Sequence, residues 1–65
     1  MKANEMFKKE GFKEVFGYSL KIYEKEETGE KILFWSPSNI DINVNYLSVK
    51  VLNAIAKQAE ELGWK

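Results

Sequence analysis

The chain is 65 residues long, with ten basic and ten acidic side chains, no histidine and no cysteine. Balanced charge provides no global field toward nucleic acid or anionic membrane. Without imidazole or thiol there is no ordinary general base near neutral pH, no thiol nucleophile and no soft zinc ligand, which argues against most enzyme classes. One domain spanning residues 1–65 is expected, near the size at which a single apolar core only just outweighs the chain entropy lost on folding. Apolar residues at 45% and aromatics at 14% argue against disorder. No apolar run is long enough to span a membrane, and Met1 to Glu5 lacks the basic start and apolar stretch of a signal peptide. A soluble, unprocessed cytoplasmic protein is the expectation.

Residues 3–10 read as a short helix, with Asn4 as N-cap, Glu5 in the first turn and Lys8 and Lys9 in the last, where each complements the helix dipole. Gly11 can take the left-handed conformation that closes a helix, and Phe12 can fold back on the last turn. Two turns cannot stand alone in water, so Met6, Phe7 and Phe12 must dock on a sheet.

From Phe12 to Lys25 the pattern turns strand-like, Tyr18, Leu20 and Ile22 alternating with Ser19, Lys21 and Tyr23. Gly17 interrupts it, so residues 13–16 read as a separate extended piece or a loop. Glu26-Glu27-Thr28-Gly29 is expected to form a three-residue hairpin loop with glycine in the left-handed position. Glu26 then opposes Glu30, Ile22 opposes Phe34 and Tyr23 opposes Leu33. Ser36-Pro37-Ser38-Asn39 is the next turn, placing Phe34 opposite Ile42 and Ile32 opposite Val44.

Both turns sort Leu20, Ile22, Ile32, Phe34, Ile40, Ile42 and Val44 onto one sheet face. The other face carries Lys21, Tyr23, Leu33, Trp35, Asp41 and Asn43. Leu47 to Leu62 has helical spacing, with Leu47, Val51, Leu52, Ile55, Ala59 and Leu62 on one side, capped by Asn45 or Ser48 and closed by Gly63 and Trp64. The expected fold is therefore α+β, in the order α-β-β-β-α. A three-stranded antiparallel meander packs against the C-terminal helix, and the short N-terminal helix lies near an edge or on the second face.

Glu24, Glu26, Glu27 and Glu30 crowd the first hairpin but lack the ligand spacing and central glycine of a calcium loop, so they read as a solvated hairpin end. Ser36, Ser38 and Ser48 have no basic partner and read as turn and cap residues. The four scattered glycines form no phosphate-cradling loop. No catalytic residue, metal site, cofactor or small-molecule ligand is implied.

The second sheet face, with Lys21, Tyr23, Leu33, Trp35, Asp41 and Asn43, is the candidate interface. It is either covered by the N-terminal helix or offered to another protein, most simply a second copy of the chain. The alternative is single-stranded nucleic acid, its bases stacked on Tyr23 and Trp35 and its phosphates met by Lys21, Lys25 and Lys31. Asp41, the neutral charge balance and the lack of any arginine weigh against it.

The helix endings at residues 7–12 and 59–64, the segment Leu52-Asn53-Ala54-Ile55 and the meander between them resemble small uncharacterised proteins of phages and prophages of Gram-positive bacteria. The resemblance implies a cytoplasmic accessory protein of a mobile element. It carries no functional residues over, because such proteins have no assigned activity.

Overall fold

A computed structural model describes every residue except Tyr18 and Lys65. The elements, in chain order, are α1 (Ala3–Lys9), β1 (Lys13–Val15), β2 (Lys21–Lys25), β3 (Glu30–Trp35), β4 (Asn39–Asn43) and α2 (Val49–Glu61). The fold is α+β, but the antiparallel sheet has four strands rather than three, in the order β1-β2-β3-β4. The added strand is the piece ahead of Gly17, where Lys13 pairs with Glu24 and Val15 with Ile22. The alternation expected at Tyr18 lies outside the described residues.

Both helices close in the same way. Phe12 N–H donates to Phe7 O and Gly11 N–H to Lys8 O, while Trp64 N–H donates to Ala59 O and Gly63 N–H to Glu60 O. Gly11 and Gly63 sit at φ 89° and 80°, so each helix ends in a Schellman motif with an apolar residue just beyond the glycine. At the N-termini, Lys2 rather than Asn4 is the N-cap of α1, and Lys2 N–H is tied to Glu5 Oε1 at 3.0 Å. Ser48 caps α2, its hydroxyl oxygen accepting from Val51 N–H at 3.1 Å.

The first hairpin differs from the sequence reading by one residue. Lys25 pairs with Glu30, so the loop holds residues 26–29, with Gly29 N–H donating to Lys25 O at 2.9 Å. Because side chains alternate faces, that single residue turns all of β2 over. Tyr23 now lies opposite Ile32 in the core, and Ile22 lies opposite Leu33 on the other side. In the second hairpin Ile32 opposes Ile42 and Phe34 opposes Ile40, a slip of two that preserves the faces.

The physical reason is packing available only in three dimensions. Tyr23 stacks on Phe7, centroids 3.9 Å apart and planes 16° from parallel, and donates its hydroxyl proton to Gln58 of α2. Phe34 meets Phe7 and Tyr23 edge-on, and Trp64 tilts over it. Both helices therefore pack on one face of the sheet, with α1 beside the edge strand β1, which agrees with the expected place near an edge and corrects the alternative that it lies on the second face. Phe7, Phe12, Tyr23, Ile32, Phe34, Val51, Ala54 and Ile55 form the core. Ala3 N–H donates to Glu61 Oε2 at 2.8 Å, joining the start of α1 to the end of α2. Among the described residues, no helix is long and apolar enough to cross a membrane.

Candidate functional site

With both helices on one side, the sheet presents a second face that no element of the described structure layers over. Strand pairing builds it in rows. Val15, Ile22, Leu33 and Asp41 run across all four strands, and Lys13, Glu24, Lys31 and Asn43 form the row beside them. Trp35 and Asn39 extend the face at the second hairpin. Val15, Ile22, Leu33 and Trp35 are half-buried, while Phe16, just beyond β1, is 95% exposed. Val15, Phe16, Ile22 and Leu33 line a shallow depression whose polar rim is Glu24 and Lys31.

Four of the six residues expected to form this surface are brought together: Leu33, Trp35, Asp41 and Asn43. Trp35 Nε1–H donates to Asp41 Oδ2 at 2.9 Å, a diagonal cross-strand bond that gives the indole N–H its acceptor. Lys21 and Tyr23 do not belong here. The flipped β2 puts Tyr23 in the core, and Lys21 lies on the helix-bearing face, 2.9 Å from Glu14. Burial of the Tyr23 hydroxyl, then the charges of Glu14 and Glu61, push its pKa well above the usual phenol range.

Val15 and Ile22 take the places that Lys21 and Tyr23 vacate. The signal for Val15 was the short Lys13-Glu14-Val15 segment before Gly17. For Ile22 there was none, because β2 carries apolar side chains at both parities.

The face is electrically mixed. Lys31 Nζ is 4.0 Å from Glu24, and Lys13 pairs with Glu26 of the hairpin, whose hydrogen bond and charge raise the Lys13 pKa. The crowded glutamates of the first hairpin disperse to separate partners. Glu24 faces Lys31 and Glu26 faces Lys13, while Glu30 accepts from the Thr28 hydroxyl at 2.6 Å and from Asn45 N–H at 3.0 Å. These two bonds lower the Glu30 pKa. Among the described residues, no three acidic side chains gather into a metal site.

The chemistry such a surface offers is contact: a band of aliphatic and aromatic side chains flanked by alternating charges. In comparison with known proteins, no family model, no curated protein and no solved structure matches this chain.

Proposed function

We propose that the chain is a small protein-interaction module without catalytic chemistry of its own, self-associating through the open sheet face. The observation that carries this reading is that both helices pack on one face of the sheet, leaving Leu33, Trp35, Val15 and Ile22 half-buried on the other. A second copy suits the surface electrostatically. Lys13 and Lys31 balance Glu24 and Asp41, so the face is neutral and can set opposite charges against each other when it meets itself. Burying the apolar band would also enlarge a core that so short a chain can barely assemble alone. The resemblance to phage and prophage proteins suggests an accessory role in the cytoplasm. The oligonucleotide reading keeps only Trp35 as a stacking platform here, since Tyr23 lies in the core.

Sedimentation of the wild type and Trp35→Ser across a wide concentration range tests the proposal. The substitution is expected to lower the assembled mass at high micromolar concentration while leaving the fold intact. Equal masses for the two proteins would refute it. Binding of single-stranded oligonucleotide that weakens steeply with salt and disappears in Trp35→Ala would favour nucleic acid instead.

A further inference from the structure

The two edges of the sheet are built differently. β1 is three residues long, carries Lys13 and Glu14, and gives way to an irregular segment at once. Short, charged edges of this kind resist pairing with another chain. β4 is five residues long, Asn39-Ile40-Asp41-Ile42-Asn43, with no lysine, proline or glycine in it. The expectation that Ile40, Ile42 and Val44 share the core face agrees with the structure, where Ile40 and Val44 pack partly buried against the core, but Ile42 does not. Ile42 is 44% exposed although it points to the helix-bearing side.

The cause is where the helices sit. α1 packs beside β1 and against α2. Ala3 bonds to Glu61, and Met1 and Met6 share a depression with Lys50 and Asn53. At about 100° per residue, the flank of α2 carrying Leu52 and Ala59 is opposite the flank carrying Ala54 and Glu61. Leu52 therefore faces the β4 side. It is 49% exposed, and Val49, one turn earlier, is 72% exposed. The open edge of β4 and the exposed aliphatic flank of α2 thus both lie on the side of the molecule away from α1.

We infer that β4 pairs antiparallel with β4 of a second copy, with Ile42 opposite Ile42 of the partner subunit, joining two four-stranded sheets into one. The sequence of β4 selects both the occupant and the register. Centred on Ile42, the pairing sets Ile40 opposite Val44 of the partner subunit and Asp41 opposite Asn43 of the partner subunit. Every helix-side pair is aliphatic, and every open-face pair joins groups that can hydrogen-bond without like charges meeting. Of the other symmetric registers, that centred on Asp41 would oppose two carboxylates, that centred on Ile40 would set Ser38 opposite Ile42, and that centred on Asn43 would carry the pairing past the end of the strand. The favoured register also extends the row Tyr23, Ile32, Ile42 across the two-fold axis into the same row of the partner subunit. A strand edge alone is smaller than the roughly 800 Å² per partner of a stable interface. Leu52 and Val49 supply the additional contact on the helix side.

This pairing touches the open face only through Asp41 and Asn43 at its margin and makes no contact with the Trp35 ring, so it is tested separately from face-to-face association. The chain has no cysteine, so Ile42→Cys introduces a single thiol on the axis. Mild oxidation is expected to convert most of the protein to a disulfide-linked dimer, and equally so in a Trp35→Ser background. Ile40→Cys, four residues from its symmetry mate along the strand, is expected to give none, because bridged Cα atoms must lie within about 7 Å. Ile42→Lys, at a half-exposed position, is expected to keep the circular dichroism of the wild type while losing this dimer in sedimentation. A folded Ile42→Cys protein that does not cross-link would overturn the inference, as would cross-linking lost with Trp35→Ser. Preferential cross-linking through Asp41→Cys would overturn the register.

Discussion

Tyr23 in β2 donates its hydroxyl proton to Gln58 Oε1 in α2 across 2.5 Å, and both side chains are buried. The bond fastens the sheet to the long helix and gives the buried amide oxygen its partner. Tyr23→Phe removes the donor and strands that oxygen, so a loss of about 1–3 kcal/mol is expected in chemical denaturation. Gln58→Leu strands the hydroxyl and should cost a similar amount. Tyr23→Phe with Gln58→Leu should be more stable than the sum of the two losses predicts, because neither polar group is then left unpaired.

Phe34 is fully buried and touches Phe7, Tyr23 and Trp64, so it joins both helix ends to the sheet. Phe34→Ala should cost about 3–5 kcal/mol, close to the whole stability of a domain this small. The variant should show no cooperative thermal transition. Leu33→Ala, next in sequence but on the open face, should melt near the wild type at low micromolar concentration.

Two groups tie stability to pH with different signs. The Tyr23 pKa is raised in the folded state, chiefly by burial, so the unfolded chain loses its proton first. Stability is then unaffected below the ordinary phenol pKa of about 10 and falls as pH rises above it. Denaturation midpoints should decline above pH 10 more steeply for the wild type than for Tyr23→Phe.

The Glu30 pKa is lowered by the Thr28 hydroxyl and Asn45 N–H, so its contribution is present above the unfolded carboxyl pKa and is lost as pH falls through the folded value. Glu30→Gln should lower the melting temperature slightly at pH 7 and leave it unchanged near pH 2. Equal losses at both pH values would show that the charge plays no part.

Gly63 ends α2 at φ 80° with open space where a Cβ would stand, so Gly63→Ala measures backbone strain alone, about 1–2 kcal/mol. At Gly11, φ 89°, a Cβ would also come within 3.2 Å of Lys25 Cε. That lysine lies over the Phe12 ring, its Nζ 5.1 Å from the centroid. Gly11→Ala should therefore cost more than Gly63→Ala in the same thermal-melt series, by up to about 1 kcal/mol for an exposed cation–π contact.

Much of the fold was legible in local chemistry. The Gly-aromatic pairs at residues 11–12 and 63–64 end helices because only glycine adopts that conformation at little cost, and they do so with identical hydrogen bonding. Helical periodicity after Ser48, the breaks at residues 26–29 and 36–38, and the shared face of Ile32 and Phe34 follow from side-chain spacing and turn propensity.

What local chemistry left open was the parity of β2, where Leu20 and Ile22 compete with Tyr23 for the core. A loop of three or four residues satisfies Glu26 to Gly29 equally well, yet the two choices place opposite sets of side chains inside. Tertiary structure decides it, because Phe7 and Gln58, distant in sequence, offer Tyr23 a stacking partner and an acceptor that Ile22 could not use. The position of α1 was open for the same reason. Its apolar side chains show that it must dock but not on which face, and the aromatic cluster of Phe7, Tyr23 and Phe34 places it beside α2, leaving the second face of the sheet and the β4 edge uncovered.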